Sequence, residues 1–370
     1  NIQAGYARII KMTSTGGHLS GWKFNIYSDA ACTKLISGSP FITDHTGEIT
    51  ARLAPGTYYI QEIDESDQNP MWEYDTTVQE VAIKAGETAS VVFVNNYCGI
   101  GQIIKTTSTG GTLEGWKFEI FRDQGCTRPI PGSPFTTDAQ GLISVKLLPG
   151  NYWVREVDES DRLPDWKFDT AVQKLTVREG QTTAVTFHNI QYGYARILKR
   201  TNTNTNLAGW KFNIYTNADR TLLVEGSPFI TDDKGGITVL LEPGIYWIQE
   251  IDESDQHPDW TYDTAVRTVT VTAGVTRAVI YNNTHYGYAE VRKSTNTGTN
   301  LGGWKFDIFT DADCTVKVEG SPFETDETGK MSVRLLPGTY YVREVDESTA
   351  KPDWIFDTRI HEVTVKAGET

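Results

Sequence analysis

Pro55-Gly56-Thr57-Tyr58-Tyr59-Ile60-Gln61-Glu62-Ile63-Asp64-Glu65-Ser66 reads as a turn, a strand and an acidic loop. Pro-Gly punctuates a turn, and the Tyr-Tyr-Ile run has strand composition. Alternate side chains of a strand share a face, so Tyr58, Ile60 and Glu62 point one way and Tyr59, Gln61 and Ile63 the other. Two apolar residues thereby carry a carboxyl group onto the core side, where an unpaired carboxylate is costly. The stretch returns three times, ending at Glu156, Glu250 and Glu344. The step is constant (156 − 62 = 94), and the Trp of Gly-Trp-Lys-Phe keeps it at 22, 116, 210 and 304. A fixed period without insertions along the whole chain means four copies of one module.

A module of this length can bury a hydrophobic core of its own, and its period is too long for a solenoid unit that leans on its neighbours. The net charge of −14 argues against nucleic acid or an anionic membrane surface as a partner. No apolar run approaches the length of a membrane span. Cys32, Cys126 and Cys314 share one repeat position, which Arg220 fills in the third copy, and Cys98 lies at the first junction. This is no disulfide framework, and small buried apolar residues are the expectation. The six His never share a repeat position, so neither a metal cluster nor a cofactor is expected. Cys98 and Gln102 resemble an internal thioester pair only superficially, since they fall at a junction in one copy.

Within the first module, strands are expected near 6–12, 22–27, 48–53, 58–63, 78–84 and 89–95, separated by Gly-, Pro-, Asp- and Ser-rich turns. No segment sustains a helical period. About seven short strands in fewer than 100 residues indicate a two-sheet β-sandwich. The expected organisation is residues 1–5 as the end of a preceding repeat, repeats at 6–97, 98–191 and 192–285, and a fourth at 286–370 without its last strand. The junctions are short and lack Pro- or Ser-rich linkers, which predicts a semi-rigid array.

Three polar positions fall on apolar strand faces by parity: Lys11 beside Ile9, Glu62 beside Ile60, and Asn95 beside Phe93. The second copy has Lys105, Glu156 and Asn189, and the third has Lys199, Glu250 and Asn283. The fourth has Lys293 and Glu344, and Asn1 sits one period before Asn95. Desolvation lowers a Lys pKa and raises a Glu pKa. A neutral amine is a nucleophile, and a protonated Glu can polarise the Asn carbonyl and shuttle protons. The reaction expected is attack of Lys on Asn with loss of ammonia, giving a Lys–Asn isopeptide bond assisted by Glu62, Glu156, Glu250 or Glu344. Asn1 would accept the lysine of a preceding repeat or of another chain. The alternative is a buried hydrogen-bonded Lys–Glu pair with Asn as spectator.

The module resembles the CnaB (collagen-adhesin B-type, SpaA-like) domains of Gram-positive surface adhesins and sortase-assembled pilins. The resemblance is carried by Lys11, by Pro55-Gly56-x-Tyr58-x-Ile60-x-Glu62, by Val91-x-Phe93-x-Asn95, by Trp22-x-Phe24-x-Ile26-Tyr27 and by Thr43-Asp44-x-x-Gly47. It implies an all-β tandem array of four transthyretin-like, reversed-immunoglobulin sandwiches, each stapled between first and last strands, the fourth incomplete. It also implies an extracellular structural stalk or fibre shaft, with neighbouring repeats as partners and any host or glycan ligand at a tip outside this chain. A repeated ligand-binding adhesin module is the second reading. In it, Trp72, Trp166, Trp260 and Trp354 would stack on sugars, or the acidic loops such as Asp64-Glu65-Ser66-Asp67 would bind a partner or a hard cation. No constellation for an enzyme with turnover is present.

Overall fold

Alternating burial along short strands builds each repeat. In the computed structural model, which describes residues 2–370, Asn1 and its candidate crosslink lie outside the described residues. The chain forms two units, one running to Ile190 and the other starting at Gln191. The first repeat contains β1 (Gly5–Thr13), β2 (Lys23–Tyr27), β3 (Phe41–Ile42), β4 (Glu48–Leu53), β5 (Gly56–Glu62), β6 (Trp72–Glu73), β7 (Gln79–Ile83) and β8 (Thr88–Tyr97). They form two four-stranded sheets, β4-β1-β8-β6 and β3-β2-β5-β7. Ile9, Phe24, Ile26, Ile60 and Phe93 fill the space between them. The two-residue strands β3 and β6 are too short to leave a periodic signal in the sequence.

The topology brings the ends of the module together. β1 and β8 are parallel neighbours, with Lys11 opposite Phe93 and Thr13 opposite Asn95. Parallel strands need a crossover connection, and here the rest of the sandwich supplies it. The second repeat keeps both four-stranded sheets. In the third, the strand equivalent to β6 is reduced to an isolated bridge between Trp260 and His285. In the fourth, Gly287–Arg292 pairs only with Lys330–Leu335 in its sheet. Among the described residues there is no helix long and apolar enough to cross a membrane.

Close approach explains one recurring glycine. A Cβ on Gly99 would lie 2.2 Å from the Arg178 carbonyl oxygen and 2.8 Å from Val177, and Gly5, Gly193 and Gly287 meet the same obstacle. The cysteines depart from expectation. Cys98 is buried, but Cys32, Cys126 and Cys314 are half-exposed free thiols. Their position requires a left-handed backbone, with φ of 51° to 55° that Arg220 also adopts, so a tight turn and not the core sets the site.

Within each unit the junction residue is held from both sides. The Cys98 amide donates to the Met71 carbonyl (2.8 Å) and its carbonyl accepts from Gly180 (2.9 Å). Tyr286 does the same between Asp259 and Gly368, both at 2.8 Å. Each link ties a loop of one repeat to a glycine turn of the next. Replacing Gly99 by Ala is expected to cost about 1–3 kcal/mol by overpacking, measured by urea unfolding. An unchanged midpoint would show that the strand crossing tolerates a side chain.

Candidate functional site

Parity and register deliver three polar side chains to one interior point. Lys11 comes from β1, Glu62 from the end of β5 in the opposite sheet, and Asn95 from β8, and all three are buried. The Lys11 ammonium donates to Glu62 Oε2 at 2.8 Å. Asn95 Nδ2 donates to Glu62 Oε1, also at 2.8 Å. In the second repeat Lys105 and Asn189 both reach Glu156 Oε1 at 2.8 Å. In the third, Lys199 is bonded to Glu250 Oε1, and Asn283 Nδ2 donates to the same oxygen at 2.9 Å. The fourth has Lys293 bonded to Glu344. There Lys293 and Glu344 line a cavity of about 340 Å³ with Ala289, Phe306 and Val363.

An aromatic wall encloses the amine. Lys11 Nζ lies 4.7 Å from the centre of the Trp22 ring, and the corresponding distances are 4.7, 4.5 and 4.0 Å at Trp116, Trp210 and Trp304. Each indole is fixed by its N–H, which in the first repeat donates to the His18 carbonyl at 2.6 Å. Trp72, Trp166, Trp260 and Trp354 pack edge-on against these rings at 5.2–5.3 Å. They therefore close the end of the sandwich.

Burial sets the electrostatics. It pushes the Lys11 and Lys105 ammonium groups below the usual lysine range and brings Lys199 down to about 8, against the opposing pull of their Glu partners. Burial also pushes the Glu62, Glu156 and Glu250 carboxyls up. Both shifts favour moving a proton from amine to carboxylate, which leaves a neutral nucleophile beside an acid.

One feature differs from the sequence reading. Glu62 meets the nitrogen of the Asn95 carboxamide and not its oxygen; the oxygen accepts the Asp75 backbone N–H at 2.8 Å. Asp169 and Asp263 stand in the same relation to Asn189 and Asn283, at 2.8 and 2.9 Å. Sequence reasoning passed over these residues, although Trp-x-(Tyr or Phe)-Asp recurs at 72–75, 166–169, 260–263 and 354–357. The acidic loops are tied down by lysines of Gly-Trp-Lys-Phe: Glu65 meets Lys23 at 2.6 Å and Glu159 meets Lys117 at 2.9 Å. Among the described residues no cluster of three or more His, Cys, Asp or Glu could hold a metal ion.

The family model for the SpaA prealbumin-like fold domain matches residues 5–97, 99–191, 193–285 and 287–370. The chain belongs to this family. Solved structures similar to it include the TIE protein of Bacillus anthracis (18% identity, TM-score 0.37), with 97% of this chain and 72% of that one covered. BcpA, the major pilin subunit of Bacillus cereus, is 13% identical with a TM-score of 0.36, covering 76% of this chain and 100% of that one. The major pilin SpaD of Corynebacterium diphtheriae is 13% identical with a TM-score of 0.27, covering 76% and 98%. No curated protein matches the sequence.

In a chain carrying Asn283→Ala, where no bond can form in the third repeat, NMR titration of the Lys199 side-chain nitrogen is expected to give a pKa near 8. A value near the ordinary 10.5 would mean that the pocket does not desolvate the amine.

Proposed function

We propose that the first three repeats each close an isopeptide bond, between Lys11 and Asn95, Lys105 and Asn189, and Lys199 and Asn283, and that the chain serves as a load-bearing stalk or fibre shaft on the surface of a Gram-positive bacterium. The observation that carries this reading is a single buried carboxyl in contact with both an amine and a carboxamide, three times over. A spectator Asn needs no such contact. Glu62 accepts a proton from Lys11, the neutral amine attacks Asn95 Cγ, and Glu62 hands that proton to Nδ2. As Nδ2 leaves as ammonia, the Glu62 carboxylate takes the remaining extra proton from the attacking nitrogen. Each repeat does this once, so the chain has no turnover. Surface location rests on the family resemblance. Residues 286–370, with Lys293 and Glu344, would follow the same scheme with any strand that brings an Asn alongside Lys293.

The bond would act on stability and on force. Closing the chain between residues 11 and 95 restricts the unfolded state by about 4–5 kcal/mol on the loop-entropy model used for disulfides. Because β1 and β8 are adjacent, tension entering along β1 would cross to β8 at Lys11 and bypass the strands between. A glycan-binding role draws no support from Trp72 and its equivalents, whose rings are engaged with Trp22 and its equivalents.

Intact mass spectrometry is expected to find the chain lighter than its sequence by three ammonia molecules. Glu62→Ala should restore one of them and leave the other two lost, and full retention of all three losses in that variant would remove Glu62 from the reaction.

The rate should follow a bell in pH. The reactive state, neutral amine beside protonated carboxyl, carries the same number of protons as the ion pair. Acid converts either to ammonium beside protonated carboxyl, and base converts either to amine beside carboxylate. The two limbs therefore follow the titrations of the ion pair. In a chain limited to the third repeat by Lys11→Ala and Lys105→Ala, the rate of ammonia loss should fall above about pH 8, where Lys199 titrates. It should also fall at low pH through a value above the ordinary 4.5 of Glu, because burial raises Glu250. A rate that climbs steadily to pH 10 contradicts the paired mechanism.

A further inference from the structure

The carboxamide of each triad is gripped at its oxygen by a group that the amine–acid scheme does not use. A backbone N–H can only donate, so the carboxamide atom 2.8 Å from the Asp75 nitrogen is the oxygen, and the atom facing Glu62 is the nitrogen. The same assignment holds at Asp169 with Asn189 and at Asp263 with Asn283. The aspartate carboxylate secures the donor. Asp75 Oδ1 accepts from the amide and hydroxyl of Thr77 at 3.2 and 2.6 Å, and Oδ2 accepts from the amide of Val94, the residue before Asn95, at 3.4 Å. Asp169 reaches the His188 amide at 3.3 Å, and Asp263 reaches the Asn282 amide at 3.1 Å. Each aspartate thus holds the backbone amide of the residue before the reacting Asn with its carboxylate, while its own N–H holds the Asn side-chain oxygen. In the fourth repeat the Asp357 amide donates to Glu344 Oε2 at 3.0 Å, a contact Asp263 also makes with Glu250.

We infer that the backbone N–H of Asp75, Asp169 and Asp263 is an oxyanion donor for isopeptide formation, and that the aspartate side chain is a positioning group that holds it on the strand bearing the Asn. The inference rests on the bond-forming reading above. When the Lys11 amine attacks Asn95 Cγ, a C–N bond forms and the carbonyl π electrons move onto Oδ1. The negative charge develops on the atom already facing the Asp75 N–H, in a site closed to water, where a fixed donor is most effective. The attacking nitrogen gives up a proton by way of Glu62, Nδ2 gains one, and the intermediate collapses by expelling ammonia and restoring the carbonyl. The same two contacts fix the direction of reaction: the oxygen end is held for charge and the nitrogen end for protonation. Free rotation of the carboxamide would leave the leaving group away from its acid.

The test uses the full chain with Lys105→Ala and Lys199→Ala, so that intact mass reports only the first repeat. Chain held in urea is refolded by dilution, and ammonia loss is followed with time. Replacing residue 75 by the α-hydroxy analogue of aspartate, which exchanges the N–H for an ester oxygen and keeps the carboxylate, is expected to slow the reaction about 10²- to 10³-fold. Asp75→Ala keeps the N–H but frees the loop and should slow it less; Asp75→Asn, which still offers an acceptor to Val94, should restore most of the rate. Tryptophan fluorescence checks that the Trp22–Trp72 contact has formed. If the ester variant or Asp75→Ala fails to fold, the Ala-to-Asn rescue, or the ester on an Asp75→Asn frame, carries the test. Ammonia loss at the unmodified rate in a folded ester variant overturns the inference while leaving the bond standing. Absence of ammonia loss in the unmodified first repeat overturns the bond reading itself.

Discussion

Each repeat is organised around an ammonium and a carboxylate taken out of water together. Removing either ion alone from solvent is expensive, and even a pair does not reliably recover the cost of desolvation. A sandwich that needed only stability would put apolar residues at Lys11 and Glu62. Retaining the pair is intelligible if the pocket is a reaction vessel, because the penalty on the charged forms is what favours the neutral amine and the neutral acid. The Trp22 ring, the edge-packed Trp72 and the core around Ile9 and Phe93 are then parts of one device that keeps water from relieving the penalty.

The topology suits a chain that carries tension. Because the first and last strands of the first three repeats are parallel neighbours, a crosslink of the kind proposed would span the module by the shortest route. The junctions continue this economy. Cys98 and Tyr286 each bond to the repeat before and the repeat after through main-chain groups, so the connection does not depend on which side chain stands there. That agrees with a junction position filled by Cys in one copy and Tyr in another.

Much of this was legible in the sequence, for definite reasons. A strand has a period of two, so counting from Ile9 to Lys11, Ile60 to Glu62 and Phe93 to Asn95 was enough to turn three polar groups inward. The 94-residue period made the pattern hard to attribute to chance. What escaped was information that side-chain identity does not carry. The Asp75 backbone donor is a property of loop geometry; its only trace is the recurrent Trp-x-(Tyr or Phe)-Asp. β3 and β6 are too short for periodicity. Cys32 and its equivalents looked like core residues by type, yet a left-handed turn governs their position.

The central claim is that Lys11 and Asn95 become one covalent unit, and peptide mapping tests it most directly. After tryptic digestion of the native chain, tandem mass spectrometry should recover a branched peptide in which the Lys11 side chain carries the Asn95 segment, with no cleavage after Lys11. Separate linear peptides, one cleaved at Lys11 and the other containing an intact Asn95, would contradict the account.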